Sequence, residues 1–528
     1  MSSRLGGAAE AGGDPRAALT VGQLVRAAAD RFSGADAVVL GEDRLSYAEL
    51  DRRSRSLARG LLARGVTKGT RIGFIYGNSP DWVVTFAAIA RIGAIAVPLS
   101  TFYRGGELAR VLRHGDIAGL ILVRSHLGHD YLAAVADGLP GVAEASSPEL
   151  ALAEAPFLRW VVSSGAPPAA PPWRAWPARP TWAHGLDWLT AAEGSPFDEA
   201  FLAQAEAEVS PDDLALTIWT SGSSALPKGV PHTHRAIMAK ATFMAERAPV
   251  APGDEQQVLM PFFWVGGMVV SLLPTLVSGG WVRCEERTRT IFALGTVPNE
   301  QERRALNDET EARGIPYWAL GMTETLGPYA WGDGGRAEQY PLCPPLDHLQ
   351  PGFDLRLIDE YGREVPDGVR GEIVLRGPTL TPGLHKIPRE EVFDADGYYH
   401  THDLGIRDDG RLYFVGRDSE MIKTANANVA PAEVEMEMQA LPGVASAYVI
   451  DVPDAQRGSI VAAAVVPADG ITLDPEALIR ALKGRLSSFK VPRRVVLLRR
   501  EEVPMIKMSS KVHRHALRDL VADRLPER

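Results

Sequence analysis

The sequence predicts an α/β protein. It has a large N-terminal portion in which helices cover mixed, mainly parallel sheets, then a strand-rich subdomain, then a small α+β unit. Three observations carry this prediction. Helical and strand patterns alternate from Ser46 to Val123, the signature of a parallel, helix-covered sheet. From about Pro351 short alternating runs broken by Asp-Gly and Gly turns predict hairpins. The 528 residues also exceed a single ordinary core, so two or more unequal domains are expected.

The elements follow in order. "SYAELDRRSRSLARGLLARG" sets Ser46 and Glu49 at capping-box spacing, with Leu50, Leu57 and Leu61 on one helical face. Strands are predicted in "RIGFIYG", "AIAVPL" and "AGLILV", and helices in "SPDWVVTFAAIARIG" and "GGELARVLRHG". Residues 156–183, with clustered prolines and tryptophans, read as a surface excursion or linker, and regular structure is expected again near Ser210. "FDLRLIDEYGREV", "GEIVLRGP" and "GYYHTHDLGIRDDGRLYFVGR" supply the strand-rich part. Beyond it, "PAEVEMEMQAL", "VASAYVID", "IVAAAVVP", "DPEALIRALKGRL", "RRVVLL" and "HRHALRDLVADRL" read as helix, two strands, helix, strand, helix. The expected plan is a disordered lead over 1–20 and an N-terminal domain over 21–418, strand-rich from about 351. A C-terminal domain follows over 419–528.

Composition narrows the function. With 45% hydrophobic, 23% charged and 7% aromatic residues the chain is of the soluble globular type. Its 56 basic and 66 acidic residues give a net charge of -10 without a basic stripe, so nucleic acid is not an expected partner. Two cysteines, Cys284 and Cys343, are too few for a disulfide framework or a zinc site, which points to a reducing, cytoplasmic setting. The first residues lack the charged start and apolar core of a signal peptide. No apolar run reaches the ~18 residues of a membrane span, so no transmembrane segment is expected.

The most informative stretch is "TSGSSALPKG", Thr220 to Gly229, between the apolar run "LALTIW" and the predicted helix "HRAIMAKATFMAERA". It is not a Walker loop: Gly222 is followed by Ser-Ser-Ala-Leu and then Pro227-Lys228-Gly229, so the order of glycine and lysine is inverted. Its physics still suits phosphate. Small residues let backbone N–H groups approach an anion, the hydroxyls of Thr220, Ser221, Ser223 and Ser224 can donate, and Lys228 adds charge. The plain alternative is a polar strand-to-helix loop. Among other candidates, His232 and His234 in "PHTH" could be half of a metal site but lack a visible third ligand. Asp403 could be an ordinary turn residue, and Lys423 and Lys490 simple solubilising charges.

Further motifs follow in a fixed order: "PFFWVGG" at 261–267, "ALGMTET" at 319–325, "GYYHTHDLG", "FVGRDSEMIKTANANVAPAEVE" and "VPMIKMSSKVHRHALRDL". Together with "TSGSSALPKG" they resemble the adenylate-forming enzymes, which include acyl-CoA synthetases, over nearly the whole chain. The resemblance implies a β-barrel-like subdomain and a mobile C-terminal domain hinged at Ser419. It implies ATP-dependent activation of a carboxylic acid, fatty or of another organic kind, to an acyl-adenylate. Thioester formation with coenzyme A follows.

The same resemblance assigns residues. Thr220, Ser221, Gly222, Ser223, Ser224 and Lys228 would hold the triphosphate, Thr323 the α-phosphate and Glu324 Mg²⁺. Gly321 belongs to the same motif, and Gly295 lies in a reduced adenine-binding stretch. Asp403 and Arg417 would bind the ribose, and Trp264, Gly266 and Gly267 border the acyl pocket. Lys511 is the candidate catalytic lysine, with Lys507 its weaker rival, and the Ala425 to Ala427 loop borders the thiol tunnel.

The chain departs from the family pattern at Ala225 (glycine), Leu320 (an aromatic) and Ser419 (Asp or Lys). It also places only forty residues between Gly280 and Gly321, fewer than family members have. Two alternatives to the ligase therefore stand. One is a degenerate homologue that binds nucleotide or a partner without turnover. The other is an adenylation enzyme loading a carrier protein, expected in trans because none follows Arg528.

Overall fold

The computed structural model describes residues 13–165, 178–190, 194–220, 227–247, 250–258, 260–285, 318–332, 345–417, 422–424, 427–454, 458–504, 512 and 514–524. Helices α1 (Val21–Phe32), α2 (Tyr47–Ala63), α3 (Pro80–Arg91), α4 (Gly105–His114) and α5 (Tyr131–Gly138) alternate with strands. These are β1 (Arg71–Ile75), β2 (Ile95–Pro98), β3 (Gly119–Val123), β4 (Trp160–Ser164) and β5 (His184–Gly185). The caps are local and readable: the Ser46 hydroxyl accepts from Glu49 N at 3.2 Å, and Ser79 caps α3 ahead of Pro80 at its first position.

After α6 (Glu199–Ala207) the chain adds β6 (Leu214–Thr220) and β7 (Lys228–Thr233), then α7 (His234–Arg247) and α8 (Leu273–Ser278). The seven strands form one sheet in the order β7-β6-β2-β1-β3-β4-β5, parallel throughout except for β7. Alternation along each strand loads both faces. Ile72, Phe74, Ile121 and Val162 pack against α1, α2, α3, α7 and α8, while Leu120, Leu122 and Val161 pack against α4 and α5. A second, four-stranded sheet runs through 36–46, 255–257 and 281–284.

Two expectations are corrected here. Trp160–Ser164, inside the stretch expected to be a linker, is a fully buried strand beside β3, and Trp182 and Ala183 are buried too. Its apolar run was obscured by the prolines around it. Regular structure also returns before Ser210, in β5 and α6; α6 buries only Leu202, so it carries little periodic signal.

The strand-rich part begins with a hairpin, β8 (Trp318–Met322) and β9 (Gly327–Gly332). Then β10 (Asp354–Ile358), β11 (Gly371–Arg376), β12 (Tyr399–Asp408) and β13 (Arg411–Arg417) form an antiparallel meander. The Asp-Gly signal is real: Asp409 and Gly410 both have positive φ, 49° and 74°, in the tight turn joining β12 to β13. The C-terminal unit has α9 (Pro431–Gln439), β14 (Val444–Asp454), β15 (Gly458–Pro467), α10 (Pro475–Lys483), β16 (Arg494–Leu497) and α11 (Arg514–Arg524). Its three strands bury one face under α9 and α10 and the other under α11.

Candidate functional site

The first site element is a hairpin. Thr220 ends β6 and Lys228 begins β7, and the two are register partners, so "TSGSSALPKG" leaves and re-enters the sheet at one point. The expected strand-to-helix loop is therefore a strand-to-strand connection. Pro231 masks β7 in the sequence and is tolerated because β7 is an edge strand. Gly229 is needed for close approach: a Cβ there would lie 2.9 Å from His385 Cβ and 3.0 Å from the Trp219 ring. Ser221, Gly222, Ser223, Ser224 and Ala225 lie outside the described residues, as do Gly295, Ser419, Lys507, Lys511 and the segment 286–317.

The second element is the turn between β8 and β9, which carries Thr323 and Glu324. Leu326 has φ of 53°, uncommon for a side chain of that size, and Gly327 has 95°, so the turn is backbone-strained and needs outside support. Several carbonyls along it have partners. Thr323 O accepts from Leu326 N at 3.0 Å and lies 2.8 Å from His232 Nε2, and Glu324 O accepts from Thr381 N at 2.7 Å. Thr325 O accepts from the Thr379 hydroxyl at 3.0 Å, and Pro328 O from Lys240 Nζ at 2.5 Å. His232, Lys240, Thr325, Thr379 and Thr381 are all buried. Gly321 admits no side chain, since a Cβ would stand 2.6 Å from the Gly327 carbonyl carbon and oxygen.

The side chains of Thr323 and Glu324 stay half-buried and available. Tyr399, on β12, donates its hydroxyl to Glu324 Oε1 at 3.1 Å. Tyr399 also lines, with Lys228, Val392, Phe393 and His400, a cleft of about 460 Å³. Tyr399 thus borders the same cleft as Lys228 and holds Glu324 through its hydroxyl. Four residues along β12 lies Asp403, 2% exposed, whose register partner across the ladder is Arg417. The two residues assigned to the ribose are cross-strand neighbours.

The motif expected to border the acyl pocket also lies among the described residues. Gly267 is sterically required, since a Cβ would lie 2.2 Å from Pro261 O, and at Gly266 one would lie 2.5 Å from Met260 Cε. Trp264 sits in an aromatic group with Phe263, ring centroids 5.8 Å apart, and Phe102, at 6.2 Å. Phe102 in turn meets Phe489 of the C-terminal unit at 6.0 Å. Leu320 packs beside the stacked Tyr329 and Phe353 rings.

No group of three or more metal-ligating side chains occurs among the described residues, and the histidines of "PHTH" are held by other contacts. Both are buried, and burial pushes each down to about 4. His234 Nδ1 accepts from Val21 N at 3.2 Å, which fixes its neutral form. Burial likewise pushes Lys240 down to about 7 and the Cys284 thiol up to about 12, which leaves that thiol no nucleophile. Lys490 is no solubilising charge. Its Nζ lies 2.8 Å from both Glu107 Oε1 on α4 and Glu433 Oε1 on α9. Sequence reasoning missed Tyr399, Thr379, Thr381 and Lys240, whose partners are remote in sequence and leave no local pattern.

The profile of AMP-binding enzymes matches residues 25–301 and 286–385, and that of the AMP-binding enzyme C-terminal domain matches 433–508. The two pieces of the first match overlap over residues 286–301. A feruloyl-CoA synthase from an Amycolatopsis species is 30% identical, over 87% of this chain and 91% of its own. A putative acyl-CoA synthetase of Bacillus subtilis, YngI, is 26% identical over 95% and 96%. Among solved structures, the amide bond synthetase McbA from Marinactinospora thermotolerans superposes with a TM-score of 0.71. It is 22% identical and covers 95% of this chain and 99% of its own, a likeness of fold. The chain belongs to the family of AMP-binding enzymes. It is an AMP-forming acid–thiol ligase, a class that uses ATP to make an acyl-adenylate and coenzyme A to take the acyl group.

Proposed function

We propose that the cleft between Lys228 and Tyr399 is the adenylating site and that the acid it activates is apolar and ring-bearing. The observation that supports the site is that Tyr399, whose hydroxyl holds Glu324, lines the same cleft as Lys228. The acid class is supported by the aromatic group of Phe102, Phe263 and Trp264 and by relatives named for feruloyl, indoleacetate and hydroxybenzoate substrates. Deletion of family residues before Gly321 favours a remodelled pocket over a narrow one.

The chemistry asks for the approach of two anions, so charge neutralisation and positioning outweigh proton transfer. The substrate carboxylate forms a bond to the α-phosphorus, and pyrophosphate leaves with the electron pair. Lys228 and Thr220, with Ser221, Gly222, Ser223 and Ser224, hold the departing phosphates, and Thr323 the α-phosphate. Asp403 and Arg417 hold the ribose, Gly295 lies at the adenine, and Lys511 neutralises the developing charge. A half-buried carboxylate with one oxygen fixed by a tyrosine suits Mg²⁺, and Glu324 would hold it. When bound, Mg²⁺ neutralises phosphate charge. The thiolate of coenzyme A then attacks the acyl carbon, and AMP leaves. Residues 419–528, hinged at Ser419, act in this reading as the mobile C-terminal domain, in a cytoplasmic setting.

Pyrophosphate exchange over a panel of hydroxycinnamic, arylacetic, benzoic and fatty acids tests this, with Lys511→Ala as control. Exchange with ring acids, lost in the variant, is the expected result. Measurable ATP binding without exchange for any acid would sink the reading in favour of a degenerate homologue. Loading of a carrier protein in place of coenzyme A would replace the thiol.

A further inference from the structure

We propose that His232 is a positioning residue for the adenylating turn: through its ring Nε2–H it fixes the Thr323 carbonyl and so sets where Thr323 and Glu324 present their side chains. The inference rests on the proposed adenylating site. Three observations carry it.

The first is the contact. His232 Nε2 stands 2.8 Å from Thr323 O, at the length of a good N–H···O bond, and a carbonyl can only accept. The tautomer is therefore Nε2–H, with a bare Nδ1. The second is what that costs. His232 is fully buried, and Nδ1 has no hydrogen-bond partner among the described residues. A buried polar atom without a partner is unfavourable, and a leucine would fill the same place without one. The single bond to Thr323 is what the imidazole provides that leucine cannot. The third is the need for it. Thr323 O already accepts from the N–H of Leu326, the residue that carries the uncommon φ of 53°. Such a turn keeps its shape only when the surroundings over-determine it.

Other holds come from other elements, among them Lys240 of α7, which donates to Pro328 O. Thr381 N binds Glu324 O and the Thr379 hydroxyl binds Thr325 O, both from the segment after β11. His232 ties the turn to β7, the strand that Lys228 begins. The same strand thus places the phosphate-loop lysine at one end and fixes the α-phosphate and Mg²⁺ turn at the other. The Thr381 hydroxyl donates to Pro231 O at 2.8 Å, so the two sets of holds are themselves joined beside His232.

The test uses the full chain and pyrophosphate exchange as a function of Mg²⁺ concentration. His232→Leu removes the donor, and His232→Gln places an amide N–H near the Nε2 position. His232→Asn places one near Nδ1, too short to reach. For His232→Leu and His232→Asn we expect the exchange rate to fall about tenfold and the half-saturating Mg²⁺ concentration to rise several-fold, from loss of one positioning bond. His232→Gln should stay within about threefold of wild type on both measures. The KM for the acid should be unchanged in all three. If the leucine variant does not fold, the Asn and Gln pair carries the same comparison. Wild-type exchange with unaltered Mg²⁺ dependence in the Leu or Asn variant would overturn this inference alone. Absence of exchange in the wild type would remove the adenylating site and this inference with it.

Discussion

The Tyr399 hydroxyl donates to Glu324 Oε1 at 3.1 Å, joining the β10–β13 meander to the turn between β8 and β9. A carboxylate on a turn would otherwise rotate, and the bond selects one orientation beside the cleft that Lys228 lines. Tyr399→Phe keeps the ring, which packs edge-on against Phe393 at 5.7 Å, and removes only the donor. A hydrogen bond to a charged group contributes roughly 1.5–3 kcal/mol, so exchange should fall about ten- to a hundredfold with little change in melting temperature. An unchanged Mg²⁺ dependence in this variant would show that Glu324 is held without Tyr399.

Gly321 offers a steric test of the same turn. An alanine Cβ would sit 2.6 Å from the Gly327 carbonyl group and from Pro328 Cα, all backbone atoms, so the hairpin must open. Gly321→Ala should destabilise by about 1–3 kcal/mol and move Thr323 and Glu324 together. The expected signature is a combined loss of exchange rate and urea midpoint. Loss of neither would mean that the bulge between Leu320 and Gly321 absorbs the methyl group.

Local signals account for much of this architecture. Ser46 and Ser79 cap their helices, Asp409-Gly410 turns its hairpin, and alternating helices and strands give a doubly covered sheet. Motif order was enough to find the family. What stayed hidden was non-local or locally disguised. Pro231 disguised an edge strand, and the proline tract after Ser164 disguised a buried one. His232 read as half of a metal site because its partner lies 91 residues away, and Lys490 as a surface charge because Glu107 lies 383 residues away. Spacing in sequence cannot show which carbonyl or carboxylate a side chain meets.

His234 gives a pH prediction with a definite sign. Burial holds its folded-state value at about 4, below the ordinary 6.5, and a second ring proton would face the Val21 N–H that Nδ1 now accepts. Between those values the unfolded chain binds the proton and the folded one does not. The stability due to the neutral ring is therefore present above the ordinary value and lost as pH falls toward 4. His234→Asn retains an acceptor for Val21 N but does not titrate. Between neutral pH and about pH 5 the wild type should lose about 2 kcal/mol more than the variant in urea unfolding. Equal losses would place His234 in water-accessible surroundings.

Lys490 binds the two parts of the chain through buried charge. Its ammonium lies between Glu107 on α4 and Glu433 on α9, and all three side chains are under a tenth exposed. Burial pulls the Lys490 value down, but the flanking carboxylates more than offset this and hold it above its ordinary range. Burial raises Glu433 against the pull of Lys490. Around them Arg110 meets Glu437 at 2.5 Å and Arg485 reaches Glu437 at 3.6 Å, so acidic and basic groups alternate across the junction. Removing the central cation leaves two buried carboxylates facing each other, and Lys490→Met should cost about 3–5 kcal/mol. Adding Glu107→Gln and Glu433→Gln removes the uncompensated charges and should recover a large part of that loss, as a neutral junction need not be destabilising. Urea unfolding of the single and triple variants checks this directly. A loss below about 1 kcal/mol in Lys490→Met would mean that water reaches the carboxylates and that the junction is held by Phe102 and Phe489 instead.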